Sequence, residues 1–248
     1  MIYITGIKLI REFMASPNQR VSSVFVDQEI RFHPRLSEIL RLARESGIPV
    51  QKVEKIKLRE MLRSEEVKNG VVAKIGDYRY FQLHECLETD SDEDFAVVID
   101  RVFDPHNLGA IARSAHCFGA SFVVIQRRRS VHVTRAAINS SAGALAKIRV
   151  ALETNVARAI DELKEAGYWI YGADPDAGTA VEEMSFEGKV AVVLGSEGEG
   201  LRENVRKRCD YLVRIPMASD FDSLNVSVAA GILFYNVYRR KHLDRTQR

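Results

Sequence analysis

Apolar residues along this chain fall into two alternating patterns, short unbroken runs and stripes at helical spacing. Residues 95–100 (FAVVID) form a continuous apolar run, which suits a parallel strand covered on both faces. Similar runs at 122–125, 148–152, 168–171, 190–194 and 211–215 predict further strands. Helices are predicted between them; in 155–166, Val156, Ala159, Ile160 and Leu163 form the buried stripe and Gly167 ends it. This strand–helix rhythm predicts an α/β fold with a mostly parallel sheet covered on both faces. A last helix, roughly 223–242, carries Ile232, Leu233, Phe234, Tyr235 and Val237, more apolar width than one sheet face demands, and so points to a subunit interface.

The first third also alternates α and β. Ile7, Ile10 and Met14 mark a helix over 6–15, and 22–26 (SSVFV) reads as a short strand. Leu36, Ile39, Leu40 and Ala43 share one face of a helix over 34–46, with Gly47 placed to cap it. A strand near 49–53, a helix over 58–62 and a strand over 71–75 follow. No catalytic cluster stands out in this region. Lys52, Lys55, Lys57, Arg59 and Arg63 suit a basic face for a polyanion or an ordinary solvated helix face.

Composition narrows the class. With 248 residues, 46% hydrophobic and 28% charged, the chain has material for one or two cores. No apolar run approaches the ~20 residues of a membrane span, and no signal-peptide core opens the chain, so a cytoplasmic protein without a membrane partner is expected. Cys86, Cys117 and Cys209 are odd in number and widely spaced, as reduced thiols would be. The six histidines show no metal-ligand spacing, so no metal is expected.

The net charge of +2 hides an uneven distribution. Residues 1–84 hold 15 Lys+Arg against 10 Asp+Glu, residues 85–95 hold six acids and no base, and the remainder holds 21 against 18. Two mildly basic modules, 1–84 and 96–248, are thus expected around an acidic linker, 85–95 (ECLETDSDEDF).

Three loops carry the candidate chemistry. In 104–115 (DPHNLGAIARSA), Asn107 stands where a helix N-cap is expected, after the Asp104-Pro105 turn. Arg113 lies four residues beyond Gly109, off the buried stripe, where it can lean back toward the loop. Taken in isolation, Arg113 is better explained as a surface arginine on an amphipathic helix. The second loop, Gly195-Ser-Glu-Gly-Glu-Gly200, suggests a dinucleotide site, but its spacing is G-x-x-G-x-G and Glu197 and Glu199 would face a pyrophosphate. A cofactor without phosphate and with its own positive charge, such as S-adenosyl-L-methionine, is better tolerated. The third loop runs from Pro216 and Met217 to Ser223, Leu224, Asn225 and Ser227, with Ser223 the candidate N-cap of the last helix.

Together N-L-G-x-x-x-R-S-A, G-S-E-G-x-G and I-P-M…S-L-N-V-S-V-A closely resemble the three motifs of the SpoU (TrmH-like) RNA 2′-O-ribose methyltransferases, in order, over about residues 96–240. The resemblance implies a SPOUT fold, whose C-terminal segment threads a deep trefoil knot, with S-adenosyl-L-methionine bound there and homodimers formed through the last helix. Residue by residue it implies functional roles for Asn107, Arg113, Glu197, Ser223 and Asn225, and cofactor contacts at Gly195, Ile215 and Leu224, with Leu194, Met217 and Ser223 beside them. The first module resembles the small ribosomal-protein-like α/β domain of large-subunit rRNA guanosine methyltransferases. It departs at Lys68-Asn69-Gly70, where those relatives usually carry His-Gln-Gly. The expectation is therefore methylation of a ribose 2′-hydroxyl, of a guanosine, in 23S ribosomal RNA or a large-subunit assembly intermediate. Alternatives are a tRNA 2′-O-methyltransferase of the same family, a non-catalytic RNA-binding assembly factor, and an NAD-dependent oxidoreductase. Arg113 is expected to grip the target phosphate, Asn107 to orient ribose or Arg113, and Glu197 to fix Arg113 or its own loop. Arg127, Arg128, Arg129 and Arg135 are candidate RNA-backbone contacts.

Overall fold

A computed structural model describes residues 1–30, 34–63, 66–88, 91–218 and 223–244. The chain divides into two compact units, Met1–Arg79 with Val133–Lys147, and Tyr80–His132 with Ile148–Arg248.

The first unit opens with β1 (Ile2–Thr5), α1 (Ile7–Met14), β2 (Val21–Asp27), α2 (Pro34–Glu45), β3 (Val50–Val53), α3 (Lys55–Met61) and β4 (Val71–Ile75). Its sheet runs β1-β4-β2-β3, with β4 antiparallel to both neighbours and β2 parallel to β3. Helix α1 buries Ile10 and Phe13, and α2 buries Leu36, Ile39 and Ala43, one apolar face each. On α3, Leu58 joins Phe25, Val53, Leu62 and Val72 in a second cluster. Gly47 ends α2 as expected: it takes φ +65°, and Ile48 N donates to Ala43 O at 2.8 Å. Lys52, Lys55, Lys57, Arg59 and Arg63 are all exposed.

The second unit begins with α4 (Leu83–Leu87), β5 (Phe95–Ile99), α5 (Pro105–Cys117) and β6 (Phe122–Gln126). The short helices α6 (Arg135–Ser140) and α7 (Ala144–Lys147) belong to the first unit. The second resumes with β7 (Arg149–Glu153), α8 (Val156–Glu165), β8 (Tyr168–Ala173), β9 (Thr179–Ala180), β10 (Lys189–Leu194), α9 (Glu203–Arg206), β11 (Tyr211–Arg214) and α10 (Val226–Tyr238). A wider turn, Arg239–Leu243, continues α10. The seven strands lie in the order β7-β6-β5-β10-β8-β11-β9, and every neighbouring pair is parallel. All six strands expected from the apolar runs are present; the two-residue β9 was not foreseen.

The expected boundaries at 84 and 96 do not match the two units. Leu83, just before the acid-rich stretch, and Cys86 and Leu87 within it sit at helical spacing and pack α4 into the core of the second unit, with Cys86 fully buried. Gln82 N donates to Glu85 Oε2 at 2.7 Å, closing a capping box, and Arg149 Nη1 donates to Glu85 O at 2.9 Å. Asp94 is buried as well, accepting from Phe95 N at 2.9 Å and from the hydroxyls of Ser121 and Tyr168. Charge counting hid these apolar and hydrogen-bonded anchors. Segment 133–147, expected in the second module, clusters with the first unit, where Tyr78 OH donates to Leu145 O at 2.7 Å.

Candidate active site

Strands β5 and β10 are neighbours, with Leu194 beside Ile99, so the loops beyond their C-terminal ends emerge side by side, as ligand-binding loops of parallel sheets do. The chain leaving β10 folds straight back: Ser196 N donates to Gly200 O at 3.1 Å and Gly200 N to Ser196 O at 3.0 Å. Gly195 is required by this approach, because a Cβ there would lie 2.3 Å from Gly200 C and 2.5 Å from Leu201 N. This self-closed turn carries Glu197 and Glu199, and the helix after it, α9, has only four residues and opens on Glu203, so it disfavours a pyrophosphate and with it the dinucleotide alternative.

The turn is braced from the sheet. Arg202 Nε donates to both oxygens of the fully buried Asp100, at 2.8 and 3.1 Å, and Arg202 Nη2 to Gln126 Oε1 at 3.3 Å. Arg101 pairs with Glu199. The sequence reading missed these residues, although one signal was available: Asp100 is a charge at the end of an otherwise wholly apolar strand.

Asn107, Glu197 and Asn225, drawn from three separate motifs, meet. Asn107 Nδ2 donates to Glu197 Oε1 at 3.0 Å, Asn225 Nδ2 to the same oxygen at 2.6 Å, and Asn225 Nδ2 also lies 3.2 Å from Asn107 Oδ1. Val226 N completes the set at 3.3 Å from Glu197 Oε1. Both expected caps need correction. Asp104 caps α5, accepting from His106 N at 2.8 Å with Pro105 following, so Asn107 stands inside the first turn and is free to reach outward. Asn225, not Ser223, caps α10, accepting from Ser227 N at 2.9 Å. Among the described residues Glu197 fixes the two helix starts and makes no hydrogen bond or ion pair with Arg113.

Beside this cluster lies a crevice of about 670 Å³. Leu194, Gly195, Ile215, Met217, Ser223 and Leu224, the full set of expected cofactor contacts, line it together with Glu197. Arg113 and Asn107 do not line it. Arg113 is exposed on α5 and has no hydrogen bond or ion pair among the described residues. Arg127, Arg128 and Arg129 are likewise exposed. Asp174, Asp176 and Arg214, which the sequence reading passed over, also line the crevice. Arg206 Nε donates to Asp174 Oδ2 at 2.6 Å, and this hydrogen bond to a carboxylate raises the guanidinium pKa above its ordinary value.

The crevice walls fit S-adenosylmethionine. Leu194, Ile215, Leu224, Val226 and Leu233 present apolar surface for an adenine, while acidic lining residues are compatible with a sulfonium and an ammonium and repel phosphates.

Comparison with known proteins agrees with this geometry. The SpoU rRNA Methylase family matches residues 94–235, and a family described as RNA 2′-O ribose methyltransferase substrate binding matches residues 3–81. The chain belongs to the SpoU family of RNA methyltransferases. It is 36% identical to a TrmH family tRNA/rRNA methyltransferase of Staphylococcus haemolyticus (strain JCSC1435), over 97% of this chain and 96% of that protein. The TrmH family protein YacO of Bacillus subtilis (strain 168) is 35% identical, over 97% and 96%. The fold matches the crystal structure of the SpoU methyltransferase AviRb from Streptomyces viridochromogenes in complex with the cofactor AdoMet, with a TM-score of 0.83, 23% identity, and coverage of 96% of this chain and 89% of that one.

Proposed function

We propose that this chain methylates a ribose 2′-hydroxyl, of a guanosine, in 23S ribosomal RNA, using S-adenosyl-L-methionine. The observation that carries the reading is the crevice itself: its walls are the residues expected to hold the cofactor, and Glu197 on its lining ties Asn107 to Asn225. When bound, S-adenosylmethionine supplies an electrophilic methyl group. The protein's part is alignment and charge. The Asn107–Glu197–Asn225 cluster sets the starts of α5 and α10 and holds the turn that forms one crevice wall. Ser223, exposed and part of the crevice lining, contacts ribose through its hydroxyl in this reading. Arg113, charged and with no hydrogen bond or ion pair among the described residues, grips the target phosphate and stabilises negative charge growing on the attacking oxygen; guanidinium does not serve as the base in this scheme, and the 2′-hydroxyl proton passes to that phosphate and on to water.

The match of residues 3–81 to a ribose-methyltransferase substrate-binding family supports the 2′-oxygen as acceptor. A solved structure concerned with the 2-OH methylation of C/U34 on tRNA matches only 64% of this chain but all of its own, with a TM-score of 0.52 and 24% identity. The extra length here supports a ribosomal substrate or assembly intermediate. Exposed Val228 and Tyr235 on α10 support a homodimer through that helix. The position of β11 between the earlier strands β8 and β9 supports the family's deep trefoil knot. Cytoplasmic RNA is the substrate pool in this reading, and no helix among the described residues is long and apolar enough to cross a membrane.

Mapping ribose methylation in rRNA and tRNA with and without the gene tests the proposal. One 23S position should lose its methyl group. Loss at a tRNA position instead would move the enzyme to the tRNA branch, and no loss in either RNA would remove the proposal.

A further inference from the structure

Two charged residues on the crevice are left over by everything above. Asp176 lies in the loop after β8, and Arg214 ends β11, the strand paired with β8. Asp174 N donates to Val213 O at 3.0 Å, which holds the start of that loop against the end of β11. Asp174 itself is spent: Oδ2 accepts from Arg206 Nε at 2.6 Å and Oδ1 from Asp176 N at 2.9 Å. That second bond closes a tight turn presenting Asp176 at the crevice.

The Asp176 carboxylate is exposed, and it accepts no hydrogen bond and closes no ion pair among the described residues. Arg206, which feels its charge, is engaged by Asp174 instead. Arg214 is also without a hydrogen bond or ion pair among the described residues, so the two opposite charges line one crevice without neutralising each other. The other lining carboxylate, Glu197, has Oε1 occupied by three N–H donors.

We propose that Asp176 and Arg214 hold the amino-acid tail of the methyl donor, Asp176 its ammonium and Arg214 its carboxylate. The inference rests on the cofactor reading given above. An adenosyl group has no net charge to satisfy at either residue, whereas a methionyl tail carries one charge of each sign. Charge-assisted hydrogen bonds at each end would fix the tail and with it the direction of the sulfonium methyl. Asp176 and Arg214 are thus assigned as specificity-determining residues that distinguish the whole donor from its nucleoside part.

Calorimetric binding with three ligands tests this in the full-length wild type, Asp176→Asn and Arg214→Gln, after equal melting temperatures confirm that the variants fold. S-adenosylhomocysteine has both tail charges, decarboxylated S-adenosylmethionine keeps only the ammonium, and 5′-methylthioadenosine has neither. Each variant should bind S-adenosylhomocysteine about tenfold more weakly, the scale of one lost charge-assisted hydrogen bond. Asp176→Asn should also weaken decarboxylated S-adenosylmethionine, Arg214→Gln should leave it unchanged, and all three proteins should bind 5′-methylthioadenosine equally. Unaltered S-adenosylhomocysteine affinity in the variants overturns the proposal. So does an equal loss for 5′-methylthioadenosine, because that would be a general effect on the crevice. If the wild type binds none of the three, the cofactor reading itself fails and takes this inference with it.

Discussion

Asn225 donates to Glu197 Oε1 at 2.6 Å, and the same oxygen receives Asn107 Nδ2 at 3.0 Å and Val226 N at 3.3 Å. One carboxylate oxygen therefore gathers three separated pieces of chain. Glu197→Ala should lower stability by about 1 kcal/mol, less than the roughly 1.5–3 kcal/mol usual for hydrogen bonds to a charged group because this side chain is exposed. Glu197→Gln, which keeps an acceptor oxygen, should lose less. Urea denaturation of the three proteins checks both, and an order reversed from this would show that negative charge rather than acceptor geometry governs the cluster.

Gly195→Ala places a methyl group within 2.5 Å of the Gly200 and Leu201 backbones. Overpacking of this kind typically costs about 1–3 kcal/mol. The turn between Ser196 and Gly200 must open, so cofactor affinity should fall along with stability. Equilibrium dialysis with labelled S-adenosylmethionine reports the first effect and thermal melting the second.

Arg113 is exposed and makes no hydrogen bond or ion pair among the described residues, so its removal should leave the fold and the crevice intact. Arg113→Ala is expected to lower kcat by at least about 100-fold, the scale of losing one donor to developing negative charge, with cofactor affinity unchanged. Wild-type turnover in this variant would end any role for Arg113 in the reaction.

Particular residues show what the sequence made legible. The strands of the second unit were readable because a strand buried on both faces must be apolar throughout, as Phe95–Ile99 is. The crevice was readable in part because much of its lining falls in two motifs, 193–201 and 215–229, whereas the loop after β8 that supplies Asp174 and Asp176 carries no motif. Asn107 and Ser223 were misjudged as caps because Asp104 and Asn225 are equally able cap residues, and only backbone geometry decides between them. Asp100 and Asp176 were overlooked because single carboxylates carry no spacing signal. One belongs to a buried ion pair with Arg202, the other stands open at the crevice. Helix α4 was hidden by the acids around and after it, since six acids among the eleven residues 85–95 read as solvated until Cys86 is seen buried.

Burial raises the thiols of Cys86 and Cys209 to about 12 from an ordinary value near 9, while Cys117 is exposed. Native protein treated with iodoacetamide at pH 8 should therefore be modified at Cys117 alone, and at all three cysteines in urea; peptide mass spectrometry reads the sites. Raised values mean the folded state keeps protons that the unfolded chain releases. Their contribution to stability is complete below about pH 9 and is lost as pH climbs toward 12, so the urea midpoint should fall between pH 8 and pH 10.

The most direct test of the central claim is transfer of a tritiated methyl group from S-adenosylmethionine to 23S rRNA, followed by alkaline hydrolysis. A methylated 2′-oxygen cannot attack the neighbouring phosphate, so the label should emerge in a single alkali-resistant dinucleotide containing guanosine. Label recovered in mononucleotides would place the methyl group on a base, and an absence of label would deny the transfer altogether; either result contradicts the activity proposed for this crevice.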